Sequence, residues 1–489
     1  MAFSFSEIIE EARLSARALK DYGDHFFHPT VRLGVTGLSR AGKTVFITAL
    51  IHGLTRGGRF PVFEPFASGR IARARLEPQP DDAVPRFDYE NHVRTLIEDR
   101  CWPNSTVDIS ELRLVIDYQR QNGADRTLTL DIVDYPGEWL LDLPLLYKSY
   151  EQWSRESLAL SRERPRAPLA AQWHEHLATF NAQDSADEQA ALTAARLFTD
   201  YLRACRDERF AMSLLPPGRF LMPGNLAGSP ALTFAPLELP DNAVAPDGSL
   251  WAMMRRRYEA YKDVVVRPFF RDHFSRLDRQ VVLVDALAAF NSGPEALVDL
   301  EAALAGILDC FRIGRSNFLS SLFRPRIDRI LFAATKADHL HHSSHDRLEA
   351  VLRRTVARAV ARAEDTGAEI DVVALAAVRA TREAMVARGR DKLPSILGTP
   401  ALGEIAGGEA FDGNTEVATF PGDLPADPDE LFKGEDAFRG LSTASAEKTD
   451  FRFLRFRPPQ LERPDAEGPA LPHIRLDRAL QFLIGDRLQ

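Results

Sequence analysis

The stretch "VRLGVTGLSRAGKTVFITAL", residues 31–50, restricts the possible folds more than any other part of the chain. It contains the spacing Gly37-x-x-x-x-Gly42-Lys43-Thr44. The run from Val31 to Gly37 is apolar and rich in β-branched residues, as in a buried strand. After Thr44, the residues Val45, Phe46, Ala49 and Leu50 recur as on a buried helix face. A glycine-rich loop between strand and helix has a mechanical meaning. Its backbone amides wrap a phosphate, and the helix N-terminus adds a favourable field. The candidate phosphate-binding residues are Gly37, Ser39, Arg40, Ala41, Gly42, Lys43, Thr44 and Val45. In this pattern Lys43 reaches the β- and γ-phosphates, and Thr44 offers its hydroxyl to Mg²⁺. Arg40 either faces solvent or touches phosphate.

A second element, "LTLDIVDYPGEW" (Leu128 to Trp139), reads as a buried strand ending at Asp134-Tyr135-Pro136-Gly137. A carboxylate at the end of a strand is where water bound to Mg²⁺ needs an acceptor, so Asp134 is a metal candidate. Asp131 alternates to the other face and is the fallback. Gly137 offers an amide to a γ-phosphate, and the segment beyond it moves when that bond is lost. On this reading a Gly137→Ala change leaves GDP binding nearly intact. Glu138 either orients water as a catalytic residue or makes a salt bridge at a helix start. Beside a triphosphate its charge is repelled unless Mg²⁺ or a basic group compensates, which implies slow intrinsic turnover. Upstream, Thr106 is the candidate switch hydroxyl for Mg²⁺, in competition with Ser105, Ser110 and a plain helix cap. The run 112–118 is a further strand, joined to the next by a turn in "RQNGADR".

The base-reading end is "ILFAATKADHL", where a buried strand (Ile330 to Ala334) leads into Thr335-Lys336-Ala337-Asp338. An aspartate here can accept from the N1 and N2 donors of guanine, which adenine lacks. The Lys336 stem can cover the base, and the Thr335 hydroxyl can tie this loop to the phosphate loop. Val378 and Arg379, after the strand "EIDVVALAAV", meet the base from the other side through a backbone amide. Asp285 is expected as a solvent-facing cap. The four histidines of "DHLHHSSHD" read as a polar loop entering a helix.

The nucleotide core then comprises residues 29–137 and 279–395. An N-terminal amphipathic helix precedes it within 1–28. A mostly helical insertion fills 138–278, directly after the switch-like glycine, and is the expected reader of nucleotide state. Its Arg255, Arg256, Arg257 and Lys262 are expected on a solvated face. A C-terminal extension, 396–489, is expected to hold short strands in "TEVATF" and "FRFLRFRPP" that pair, and a closing helix buried through Leu476, Ala479, Leu480 and Leu483. With 489 residues and a net charge of -9, the chain is long enough for more than one domain and is a poor general nucleic-acid binder. Three distant cysteines point to a reducing compartment. Neither a secretory leader nor an 18-residue apolar run is expected. Localisation is therefore read as cytoplasmic, with peripheral contact at the inner membrane left open.

The ordered set GLSRAGKT, Thr106, DYPG and TKAD resembles the Ras-like P-loop GTPases. More closely, "GVTGLSRAGKTVFITAL", "DIVDYPGEWLLDLPLL", "FAATKADHL" and "FPGDLP" resemble the YcjX-like family over nearly the whole chain. The resemblance implies an α/β P-loop NTPase fold with a Ras-like core. It implies a stress-linked, Mg²⁺-dependent protein that hydrolyses GTP to GDP. It also implies an unidentified protein effector or membrane-associated stress partner. Thr335 departs from the asparagine usual in the guanine signature. An ATPase, and a nucleotide-holding scaffold without useful turnover, are the alternatives.

Overall fold

The computed structural model describes residues 29–489, apart from 39, 105–107, 241–242, 312–326, 365–366, 389–390, 407–408, 433–452 and 462–469. The N-terminal helix expected within 1–28, Ser39, Ser105 and Thr106 lie outside the described residues.

A seven-stranded sheet organises the molecule, in the order β2-β3-β4-β1-β5-β6-β7. Its strands are β1 (Thr30–Gly37), β2 (Ile71–Glu77), β3 (Ser110–Gln119), β4 (Asp125–Asp134), β5 (Arg279–Val284), β6 (Arg329–Ala334) and β7 (Glu369–Ala374). From β4 through β1 to β7 all neighbours are parallel, while β2 and β3 run antiparallel at one edge. The hairpin joining β3 to β4 turns at Gly123, with φ at +85°, a left-handed value that glycine adopts without strain.

The central parallel strands are buried on both faces, which explains their near-continuous apolar runs. Alternation along β5 sends Val281 and Leu283 to one layer, and Val282 and Val284 to the other. The first layer holds α1 (Lys43–Arg56), α2 (Tyr89–Ile97) and the C-terminal α8 (Leu476–Ile484), where Leu476, Ala479, Leu480 and Leu483 are buried as the spacing predicts. The second layer is built largely by the segment between β4 and β5. That segment is mostly helical: a 3₁₀ stretch over Gly137–Tyr147, then α3 (Tyr150–Ser161), α4 (Glu188–Arg206) and α5 (Leu250–Tyr261). Side chains of Ser149, Asp187 and Ser249 cap the three α-helices, which explains where they start. Trp153 stacks on Tyr258 at 5.1 Å, locking α3 to α5. These aromatics share one continuous cluster with Val282, Val284 and Phe332 of the sheet.

The basic run of the helical segment is not uniformly solvated. Arg257 donates to the Thr233 carbonyl at 3.0 Å, and Lys262 is buried over the Tyr258 ring. Their long alkyl stems pack while their heads find partners. Beyond the sheet lie α6 (Pro294–Phe311) and α7 (His345–Glu364), packed on one another.

The C-terminal region departs from expectation. A hairpin of β8 (Arg382–Arg388) and β9 (Asp391–Gly398) pairs with β10 (Val417–Thr419), so β9 spans the expected 395/396 boundary. Phe456 bridges Pro400 instead of pairing with residues 415–420. Its neighbour Arg457 takes the Thr399 carbonyl at 2.8 Å, and β10 is already satisfied by β9.

Candidate nucleotide site

The strand ends at Gly37 and the backbone turns back at once: the Ala41 amide donates to the Leu38 carbonyl at 3.1 Å. Arg40 and Gly42 both adopt left-handed conformations, φ +60° and +80°. Gly42 occupies the N-cap of α1, so the unpaired amides of the first helical turn face the loop. Lys43 and Thr44 occupy that first turn and are buried. Lys43 Nζ lies 3.8 Å from Asp134 Oδ1, at the end of the adjacent strand β4. The two expected halves of a phosphate and metal site are therefore together. Asp131 faces elsewhere and is held by Arg113 at 2.7 and 2.8 Å.

Gly137 packs directly on Gly37. A Cβ built on Gly137 would sit 2.5 Å from the Gly37 carbonyl carbon and 3.1 Å from the Leu38 nitrogen. Only a glycine permits this approach between the phosphate loop and the segment after β4. Glu138 follows and is buried; its carboxylate meets Arg206, from the last turn of α4, at 2.8 Å. Asp142, one helical turn on, accepts from the Gly218 amide at 2.7 Å and the Tyr261 hydroxyl at 2.6 Å. Burial pushes its carboxyl from the ordinary 3.8 up to about 6, against those donors.

One cleft of about 380 Å³ joins these groups to the base-reading loop; Gly37, Arg40 to Val45, Glu138, Thr335, Lys336, Asp338 and Val378 all line it. Asp338 is 3 % exposed, and its Oδ2 accepts from the Ala380 amide at 2.7 Å. A carboxylate offers roughly four lone-pair directions, so capacity for two further donors remains. Lys336 adopts φ +60°, and its ammonium pairs with Asp285.

Several expectations need correction. Asp285 caps a helix, accepting from the Ala288 amide at 3.1 Å, but its side chain is only 5 % exposed and serves Lys336. The Thr335 hydroxyl bonds the Val284 carbonyl at 3.3 Å rather than the phosphate loop; its short side chain reaches only the neighbouring strand. The Arg379 amide is taken by the Pro472 carbonyl at 2.7 Å and Arg379 does not line the cleft, so Ala376 to Val378 form that wall. Of the two readings of Arg40, solvent or phosphate, the structure fits the first: it is 55 % exposed and pairs with Glu208 at the mouth. The histidine loop does enter α7, yet His339, His341 and His345 are buried, and His342 bonds Glu383 of β8 at 2.7 Å.

Trp102, Arg206, Arg455 and Phe456 also line the cleft and were not singled out from sequence. Trp102 Nε1 donates to the Phe456 carbonyl at 2.6 Å, which joins the segment before β3 to the C-terminal region. Their spacing carries no local signal, since only the tertiary fold brings them together.

A family model for the YcjX-like family, DUF463, matches residues 31–488. The Escherichia coli K12 protein named Ras-like GTPase YcjX is 37 % identical over 475 residues, covering 94 % of this chain and 96 % of that protein. The protein of the same name from Shewanella oneidensis MR-1 is 35 % identical over 486 residues, covering 94 % and 95 %. With its mixed α/β fold, mostly parallel central sheet and β-containing C-terminal region, the chain belongs to the YcjX-like family.

Proposed function

We propose that this protein is a GTP-binding switch that hydrolyses GTP to GDP and phosphate, with Mg²⁺ and with slow unaided turnover. The observation that carries the reading is the single cleft shared by Lys43, Thr44, Glu138 and Asp338. The names of the two relatives support a GTPase over an ATPase. A buried carboxylate with acceptor capacity at the base end favours guanine, because adenine lacks the N1 and N2 donors that would fill its remaining lone pairs. Mg²⁺ suits hard oxygen donors, and the buried Thr44 hydroxyl and Asp134 carboxylate are of that kind. When bound, the ion neutralises charge on the β- and γ-phosphates. Lys43 would bind the same phosphates, Gly137 would donate its amide to the γ-phosphate, and Glu138 would hold the attacking water. The segment from β4 to β5 would carry the nucleotide state to a protein effector. Among the described residues, no helix is long and apolar enough to cross a membrane.

Calorimetric titration with non-hydrolysable GTP and ATP analogues tests the reading. A GTP preference of tenfold or more, about 1.4 kcal/mol, is expected. Equal affinities, or a preference for ATP, would refute the guanine assignment.

A further inference from the structure

The geometry points to Arg206 as a catalytic arginine supplied in cis, which bridges Glu138 and the γ-phosphate during hydrolysis; this rests on the GTPase reading above. Three features carry it.

The first is electrostatic. Glu138 is 6 % exposed and lines the cleft that would receive a triphosphate. Two anionic groups in one enclosed space repel, so a cation must lie between them. Arg206 already holds the Glu138 carboxylate at 2.8 Å and lines the same cleft. A guanidinium has five N–H donors in a planar fork and can serve a carboxylate and a phosphoryl group together.

The second is placement. Glu138 follows Gly137, whose backbone sits against Gly37 of the phosphate loop. A side chain that reaches Glu138 is therefore beside the loop where phosphate binds. Arg40 and Arg455 also border the cleft, but both pair with Glu208 at the mouth and are 55 % and 56 % exposed, against 25 % for Arg206.

The third is preorganisation. Arg206 ends α4, whose buried face (Phe198, Tyr201, Leu202, Cys205) is fixed in the core. It also touches the Met222 sulfur at 3.5 Å.

In the step itself, the water oxygen forms a bond to the γ-phosphorus, and the bond from that phosphorus to the β–γ bridging oxygen breaks. GDP leaves with the bonding electron pair, and the water proton ends on inorganic phosphate. Negative charge grows on the bridging oxygen, where Arg206 stabilises it. Contact with Arg206 also leaves Glu138 free to orient the water.

The test compares wild type, Arg206→Ala, Arg206→Lys, Lys43→Ala and the exposed same-helix control Arg203→Ala. Single-turnover GTP hydrolysis is measured, together with affinities for GDP and for GDP with aluminium fluoride, which mimics the transferring phosphoryl group. Arg206→Ala should slow hydrolysis on the order of 10²–10³-fold, leave GDP affinity within about threefold, and abolish the affinity gain from aluminium fluoride. Arg206→Lys should recover only part, and Arg203→Ala should match wild type. Because removing Arg206 alone strands a buried carboxylate, Glu138→Gln is compared with Glu138→Gln/Arg206→Ala, and the double variant should be slower still. The inference falls if Arg206→Ala hydrolyses GTP like wild type while Lys43→Ala is silent. It also falls if Arg206→Ala weakens GDP and the fluoride complex equally, or if lysine restores full activity. If wild type binds neither GTP nor GDP, the GTPase reading itself falls. If it binds without turnover, the aluminium fluoride arm alone decides.

Discussion

Gly137→Ala is the sharpest test of how the phosphate loop and the following segment are joined. The added methyl group would start 2.5 Å from the Gly37 carbonyl carbon, where carbon atoms settle at about 3.5–4.0 Å. Something must move by about 1 Å. Gly37 cannot retreat freely, because a Cβ placed there would already be 2.9 Å from the Ala41 Cβ and 3.0 Å from the Leu283 Cβ. Leu283 is fully buried in β5. Overpacking of this kind costs about 1–3 kcal/mol, and the displaced atoms belong to the loop that holds every phosphate. Sequence reasoning treated Gly137 as an amide that only a γ-phosphate would meet, so GDP binding should survive. The packing predicts otherwise: GDP affinity should fall by about fivefold or more, and the denaturant midpoint of the nucleotide-free protein should fall too. Calorimetry and chemical denaturation measure the two effects. Wild-type GDP affinity and an unchanged midpoint, with only GTP-analogue binding lost, would refute the steric argument.

Lys43→Ala should remove GTP turnover and weaken triphosphate binding while the fold persists, as read by single-turnover hydrolysis and circular dichroism. Asp338→Asn should weaken GTP and favour xanthosine triphosphate, because an amide can donate where the carboxylate only accepted; competition binding with the two nucleotides decides. Asp142→Asn offers one acceptor to the three donors from Gly218, Arg219 and Tyr261, which should cost about 1–3 kcal/mol in the denaturation midpoint at neutral pH. The wild-type carboxyl holds its proton more tightly folded (about 6) than at the ordinary 3.8. Stability from this group is therefore greatest below about pH 4 and declines by about 3 kcal/mol as pH rises to about 6, then levels; the difference between wild type and Asp142→Asn across that window should follow this curve.

What was legible from sequence was mostly local. β1, β4 and β6 announce themselves by apolar runs, and Lys43, Thr44, Asp134 and Asp338 stand at their ends because a loop after a buried strand must face the same edge of the sheet. The closing helix was legible because Leu476, Ala479, Leu480 and Leu483 recur at helical spacing and are buried. The β8–β9 hairpin was not, since its strands carry no strict alternation and the lone glycine in "RGRD" is a weak turn signal without it. Arg206 reads as one more basic residue at a helix end, where the macrodipole favours it anyway. Asp285 was misjudged because capping is local while its pairing with Lys336 joins two strand ends. Of the two sequence readings of Glu138, a water-orienting residue or a salt bridge at a helix start, the structure shows a salt bridge; its partner Arg206 comes from a distant helix and carries no local signal.

The apolar layer containing β1 and α1 has its last wall supplied by α8 at the far end of the chain. Arg279 of β5, 1 % exposed, is likewise tied to Asp486 at 2.9 Å. On a ribosome this order of parts matters. Synthesis proceeds at about 5–20 residues per second, so Val31, Leu33 and Val35 must wait tens of seconds for the helix that covers them. Trp102 waits almost as long for Phe456. During translation the nascent chain therefore presents a half-covered apolar face, and the nucleotide cleft acquires its last wall only when Arg455 and Phe456 emerge. Truncations before α8 should be insoluble rather than partly active, and nucleotide should join the chain once α8 has emerged instead of guiding its first folding steps.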